Sequence, residues 1–432
     1  MIDRQYNECY ICGSADETVR YCGACVTGNT FVLTGRGYVE IASIQKGDEV
    51  LGHDGYFHSV IDILKREYSG NILSINVAAF KDPLQITPEH PVLVANVVRN
   101  AWKKRYREDA YPTFLESIQW QDAGTLPEGA DCYYPRIREV RDIETLLIQP
   151  PFAPKGRLRA LTIPVSEPLM RIVGFYLAEG YTSIRTKSKH KKLQTSNPYK
   201  VEFTFGKNII EFTRAAEIAY SLKDFGMSPY IRYKGGWRVA VHSTALASWL
   251  RREFGHGAEN KKIPSWVKLL PVSKLKPLLD AYLEGDGHHV RRDFYDTATV
   301  SRILAWDIRD IALKIGYNSS VSVYSYRTNG IIEGRTVNMK PTHRVFINSS
   351  PVRKAGMRFA TDECVTYRSR NGGHRPFKGF VYNLEVESSH SFVTPTLALH
   401  NCKKWLCERC RRNPIARARA VTQEAIDRIF HN

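Results

Sequence analysis

Cys25-Val26-Thr27-Gly28-Asn29-Thr30 near one end of the chain and Leu399-His400-Asn401-Cys402 near the other decide how everything between them is read. A thiol at the first seam and a His-Asn-Cys triplet at the second supply two sulfur nucleophiles, an imidazole and a side-chain amide able to cyclise. A thiol is intrinsically nucleophilic and leaves more readily than an amine, so it can turn an amide into a thioester and pass the acyl group on. These are the parts needed to excise everything from Cys25 to Asn401 and to join the flank 1–24 directly to the flank 402–432.

Outward from Cys25 the texture is that of short strands and tight turns. Phe31-Val32-Leu33, the Gly35-Arg36-Gly37 turn, Tyr38-Val39-Glu40-Ile41 and Gly47-Asp48-Glu49-Val50-Leu51 fit hairpins, and the pattern runs to about Val94. Val386 to Leu399 resumes it. The two ends are expected to complete one compact all-β domain that brings the distant seams together.

Cys25-Val-Thr-Gly-Asn-Thr, Thr87-Pro-Glu-His90, Val381-Tyr-Asn-Leu-Glu-Val-Glu-Ser-Ser-His-Ser-Phe-Val393 and His400-Asn401-Cys402 resemble, in the expected order, the splicing blocks of inteins. The resemblance implies a horseshoe-like Hint domain and a role for each block. Cys25 attacks the Ala24 carbonyl, His90 protonates the departing amine, and Thr87 helps hold the scissile peptide. Cys402 takes the acyl group, Asn401 cyclises with His390 assisting, and His400 polarises the Asn401 carbonyl; splicing itself needs no cofactor. Two positions depart from the family. Asn383 stands where many inteins carry Asp, which implies slower coordination between steps because Asn exchanges no proton at neutral pH. Thr396 stands where Gly is frequent.

Between about Leu161 and Ser350 longer amphipathic helices alternate with strands. Ile172-Val-Gly-Phe-Tyr-Leu-Ala-Glu179-Gly180 and Leu279-Asp-Ala-Tyr-Leu-Glu-Gly-Asp286-Gly287 repeat one another, and resemble the paired motifs of LAGLIDADG homing endonucleases. Gly174 with Ala178, and Ala281 with Gly285, fall at i,i+4 on one helix face, where small residues let two backbones approach. Glu179 and Asp286 then emerge side by side at helix C-termini. A carboxylate is unfavourable there, two repel, and a bound Mg²⁺ would offset both penalties while activating water for DNA cleavage. Lys261-Lys262-Ile263-Pro264 resembles the family segment carrying an active-site lysine, with either lysine open as the one that enters.

The expected organisation is therefore multidomain: a first flank (1–24), the N-terminal part of the all-β Hint domain (25–160, with 97–160 left open), a pseudo-twofold α+β endonuclease domain (161–350), the C-terminal part of the Hint domain (351–401) and a second flank (402–432). Sixty-two Lys and Arg against 44 Asp and Glu give a formal net charge of +18, which favours a polyanionic partner. Double-stranded DNA at the homing site is the expected one, met by a monomeric intein. Arg232, Lys234, Arg238 and Arg327 are candidate contacts. The run Arg185-Thr-Lys187-Ser-Lys189-His-Lys191-Lys192 reads equally as a phosphate-tracking loop or a solvated one. Arg99 to Arg138, with Trp102 and Tyr106 among its cations, reads as an extension of the DNA footprint or as a surface excursion of the splicing domain.

Six of the nine cysteines lie in the flanks. Joined, they read Cys9-x2-Cys12-x9-Cys22-x2-Cys402-x4-Cys407-x2-Cys410, three CxxC-type pairs of the kind that hold Zn²⁺, similar to the first three pairs of B-box or FYVE-type modules. The fourth pair is missing, so one or two zinc ions remain open. No apolar run is long enough to span a bilayer and no signal pattern opens the chain, so the expectation is a cytoplasmic protein of prokaryotic or phage origin, away from membranes. Two other readings stay open: a nuclease with a dead or cleavage-only splicing domain, and a DNA-binding zinc protein whose insert does no chemistry. The endonuclease half also reads as an inactive one retaining only DNA binding.

Overall fold

The structure, a computed structural model, describes residues 19–21, 23–77, 80, 83–98, 114–151, 160–184, 198–325, 329–332, 335–338, 340–349, 359–401 and 405–407. The chain is multidomain and mostly β, with six α-helices among the described residues. It divides into two compact units, one of residues 1–78, 82–135 and 364–432, the other of residues 79–81 and 136–363. No helix among the described residues is long and apolar enough to cross a membrane.

The first unit is a 13-stranded sheet whose spine is a pair of long strands, Phe57–Val77 and Cys364–Val386. They run antiparallel from Val60 opposite Val386 to Val77 opposite Ser369, so segments from the two ends of the chain close on one another. The short strand Val26–Thr27 slots between two others: Val26 lies opposite Ile86 on one side and opposite Tyr382 on the other. Antiparallel register carried one residue back sets Cys25 opposite Thr87 and Asn383 together. The second seam arrives by the same logic. Leu399 of the strand Ala398–His400 lies opposite Val92, and two residues further on Asn401 comes opposite His90. A separate two-stranded ladder joins the flanks themselves, Val19–Tyr21 antiparallel to Trp405–Cys407.

Part of the segment between Arg99 and Arg138 belongs to this same unit. Phe114–Asp122 pairs along Pro91–Val98, and Asp131–Pro135 pairs with Cys364–Val386. Its cationic start, residues 99–107, lies outside the described residues.

The second unit carries the helices α1 (Glu167–Glu179), α2 (Ile209–Asp224), α3 (Thr244–Phe254), α4 (Ser265–Lys268), α5 (Val272–Asp286) and α6 (Arg302–Lys314). Asn208, Ser243 and Ser301 cap α2, α3 and α6, each side-chain oxygen accepting an N–H three residues on. Each half builds a four-stranded sheet. In the first, Gly180–Ile184, Pro198–Phe205, Tyr230–Tyr233 and Trp237–His242 follow in chain order; in the second, Gly287–Arg291, Phe294–Thr299, Asn318–Ser325 and Thr342–Asn348. In both, the chain's fourth strand lies between its second and third, and a helix crosses over between second and third. One topology is thus built twice, each copy beginning directly after α1 or α5.

The small residues expected to let those two helices meet are at their contact. A Cβ on Gly174 would lie 2.3 Å from the Leu278 carbonyl oxygen and 2.8 Å from the Ala281 methyl, and one on Gly285 would lie 2.5 Å from that of Ala178. The two helices touch backbone to backbone. Beneath α6, Lys268 and Asp307, both fully buried, pair at 2.7 Å, and Asp307 also accepts the Ile263 N–H.

Candidate functional site

At the first seam the three carbonyls of Gly23-Ala24-Cys25 and the Cys25 N–H are all hydrogen-bonded. The Cys25 N–H donates to Thr87 Oγ1 at 2.9 Å, and the Thr87 hydroxyl donates to the Gly23 carbonyl at 2.8 Å. Arg66 Nη2 donates to that same carbonyl at 2.9 Å, and Thr87 N–H donates to the Cys25 carbonyl. Asn383 Nδ2 donates to the Ala24 carbonyl at 2.7 Å. Burial pushes the Cys25 thiol up from its ordinary value, with Arg66 opposing, so the resting sulfur keeps its proton.

His90 is fully buried and neither ring nitrogen completes a hydrogen bond among the described residues. Burial drives its pKa down to about 3; the Cys25 backbone pulls upward and the His400 ring pushes further down. A neutral imidazole is therefore held between the two seams, close to both. Orphaned buried nitrogens are uncommon in folded proteins, and they cluster where protons are exchanged.

At the second seam Asn401 is buried, its N–H donates to the His390 carbonyl and its Nδ2 donates to the Val386 carbonyl at 3.2 Å. His390 Nδ1 donates to the same Val386 oxygen, which leaves Nε2 as the basic nitrogen. His390 holds a left-handed backbone (φ 51°), uncommon without glycine and set by the turn that delivers its carbonyl to Asn401. His400 Nδ1 lies 2.6 Å from the Asn401 carbonyl oxygen. Trp120 meets the His400 ring edge-on at 4.9 Å, and His53 packs against Trp120 while bonding Ser391 Oγ. Arg66, Trp120 and His53 escaped the sequence reading; Arg66 and Trp120 reach their seams through strand pairing, His53 from the turn before Phe57–Val77, and no local pattern marks them. Cys402 lies outside the described residues, as do Cys9, Cys12, Cys22 and Cys410; Cys407 is described only as backbone.

In the second unit Glu179 and Asp286 end α1 and α5, and neither carboxylate has a hydrogen-bond or ion-pair partner among the described residues. Burial, then repulsion from Asp286, raises Glu179 to about 7; burial raises Asp286 to about 6 against the pull of Lys261. Of Lys261 and Lys262, Lys261 is the one that lies beside these two acids. Its Nζ donates to the Leu177 carbonyl at 2.8 Å, closing the end of α1, and burial lowers it to about 8 with both acids opposing. Lys262 presents its backbone N–H to Phe254 instead. Among the described residues no three His, Cys, Asp or Glu side chains cluster to hold a metal ion. Two unpartnered carboxylates do fit a hard divalent cation that keeps water and phosphate oxygens as its other ligands.

On the first-half sheet Arg232 and Arg238 converge on one buried carboxylate, Glu202, at 3.1 and 3.4 Å, with Lys200 at 2.6 Å and the Tyr181 hydroxyl also bonded to it. Lys234 is exposed at the turn joining the strands of Arg232 and Arg238. Arg185, Lys187, Lys189, Lys191, Lys192 and Arg327 lie outside the described residues.

No family model matches the chain. It is similar to an iron-sulfur cluster assembly SufBD family protein of Mycobacterium tuberculosis, 26% identical over 92% of this chain and 45% of that one. An ATP-dependent DNA helicase of Thermococcus kodakarensis is 28% identical over 85% of this chain and 35% of that one. The chain thus spans less than half the length of these relatives. Among solved structures, the endonuclease I-DmoI in complex with DNA and Mn is 12% identical, with a TM-score of 0.31 over 43% of this chain and 90% of that one. The gp41-1 intein is 21% identical, with a TM-score of 0.17 over 26% of this chain and 68% of that one.

Proposed function

We propose that the chain is a self-splicing intein with an embedded DNA endonuclease, which excises residues 25–401 and joins 1–24 to 402–432. The observation that carries the reading is His90, neutral, buried and unpartnered, between the backbones of Cys25 and His400. The pairing of Leu399 with Val92, carried two residues on, also brings Asn401 opposite His90.

Cys25 attacks the Ala24 carbonyl, and the amine leaves with a proton handed on by His90. Thr87 holds the peptide on both sides of the bond through Gly23 O and the Cys25 N–H. Cys402 accepts the acyl group. Asn401, its amide drawn toward Val386 O, closes on its own carbonyl and breaks the Asn401–Cys402 C–N bond while His400 polarises that oxygen. His390 Nε2 passes the amide proton to the departing Cys402 amine, which then takes the acyl group from its own sulfur as a peptide. The relatives support an insert. Proteins named for iron-sulfur assembly, helicase activity and DNA polymerisation have little in common but a segment alignable over most of this chain.

In the second unit Glu179 and Asp286 would hold a divalent cation such as Mg²⁺, which supplies Lewis acidity and an activated water for phosphodiester hydrolysis. Lys261 adds a cation beside the scissile phosphate. The doubled sheet would present Lys234 to double-stranded DNA, with Arg232 and Arg238 able to reach phosphate only while sharing Glu202. The joined flanks form a small zinc-binding peptide through Cys9, Cys12, Cys22, Cys402, Cys407 and Cys410.

Intact-mass spectrometry of the expressed chain tests the reading, with native spectra taken with and without zinc. Splicing gives one body of about 43 kDa and one joined peptide of about 6 kDa, at this chain's mean of about 114 Da per residue (49.3 kDa over 432 residues). Unjoined flanks, or an unprocessed chain that Cys25→Ala with Asn401→Ala leaves unaltered, would overturn it.

A further inference from the structure

We infer that Asn383 is a catalytic residue, the donor that stabilises the oxyanion formed on the Ala24 carbonyl when Cys25 attacks. The inference rests on the splicing reading and assigns the position where this chain departs from the usual acid.

Three observations converge. Asn383 is fully buried, and its Nδ2 donates to Ala24 O at 2.7 Å, the one hydrogen bond to that oxygen among the described residues. Its Oδ1 accepts the Leu384 N–H at 2.7 Å, which fixes the amide with its NH₂ toward the junction. The other strong donors nearby, Arg66 Nη2 and the Thr87 hydroxyl, bond Gly23 O, one carbonyl away from the reacting one. A preorganised donor aimed at the oxygen where charge develops acts without reorganisation, and removing one costs about 10²–10³ in rate.

The step balances within the chain. The Cys25 sulfur gives up its proton and bonds to the Ala24 carbonyl carbon, and the C=O π pair moves onto oxygen, where Asn383 meets it. Collapse restores C=O and breaks the Ala24–Cys25 C–N bond. The amine departs with the proton the thiol lost, carried by His90. Amide and thioester are isomers, so no co-reactant enters.

A carboxamide suits this task at any pH. An ionised carboxylate only accepts, and would repel the oxyanion. The ionisable groups around the junction are Arg66, Tyr68, Glu89, His90, His400 and Cys25 itself.

The test uses the full chain carrying Asn401→Ala and Cys402→Ala, so that only the first step is scored, as dithiothreitol-induced cleavage before Cys25. Asn383→Ala should slow it about 10²–10³-fold. Asn383→Asp should be slow at pH 8 and recover toward the parent as pH falls and the carboxyl regains a proton to donate. Asn401 cyclisation, followed separately in a Cys25→Ala chain, should proceed in both variants. Cleavage by Asn383→Ala within threefold of the parent overturns the assignment. So does an Asn383→Asp defect of equal size at every pH, which would mark a packing role. A parent chain that never yields thioester cleavage sinks the splicing reading and the inference with it, and is told apart by needing no Asn383 variant.

Discussion

Gly174→Ala tests whether α1 and α5 hold the two acids in place. A Cβ there falls 2.3 Å from the Leu278 carbonyl oxygen and 3.0 Å from the Tyr282 nitrogen, both main-chain atoms of α5. Ordinary contact needs about 1 Å more, and the obstacle has no rotamer to move, so the helices themselves must part. Alanine gains about 1 kcal/mol of helix propensity over glycine, whereas overpacking a rigid contact costs about 1–3 kcal/mol. The clash therefore wins or at best cancels, and a melting temperature lower by about 2–6 °C is expected for a unit of this size. The effect on cleavage is larger, because a displacement of about 1 Å at a reacting centre can cost 10²-fold. The assay is thermal melting of the excised body beside divalent-dependent cleavage of a duplex encoding the joined flanks. Ala281→Gly removes only the 2.8 Å methyl contact and should restore part of the loss. Splicing of the same variant, scored by mass, serves as the internal control and should be unchanged. A Gly174→Ala chain with undiminished melting temperature and cleavage would refute the close helix contact.

The paired acids make the second unit's stability depend on pH in a defined direction. Glu179 near 7 and Asp286 near 6 lie above their ordinary values, so the folded state holds more protons than the unfolded one and stability falls as pH rises from about 4 to about 7. A divalent cation relieves that repulsion only once the pair is ionised; Mg²⁺ should raise the melting temperature more at pH 8 than at pH 5, and equal shifts would count against a shared site. Under α6, Asp307→Ala should cost about 3 kcal/mol by leaving Lys268 only its longer pairing with Asp310 at 3.7 Å, measured by denaturant unfolding, while Asp307→Ala with Lys268→Met should recover part of it. Little effect from the single change would mean that the pair is solvated.

What could be read from the sequence was local. Thr87 and His90 share a turn, the small residues of α1 and α5 recur at i,i+4, and the acids end their helices; each pattern needs only a few consecutive residues. What could not be read depends on strand register. Arg66 and Asn383 reach the first seam because Phe57–Val77 and Cys364–Val386, far apart in the chain, pair along most of their length. Asn383 read as a residue that lacks a transferable proton; its donor role needed the Ala24 carbonyl opposite it. Lys261 and Lys262 were indistinguishable until burial separated them. Arg232 and Arg238 read as candidate contributors to a DNA-facing surface; their pairing with Glu202 depends on strand register and was not legible.

The ladder between Val19–Tyr21 and Trp405–Cys407 has a consequence for the joining of the two flanks under the proposed splicing. Its contacts are peptide groups, which every residue except proline can offer on both sides. Under the proposed splicing both strands belong to the flanks that are to be joined, and their pairing keeps the two ends in one another's company at an effective concentration that free peptides in solution would not reach.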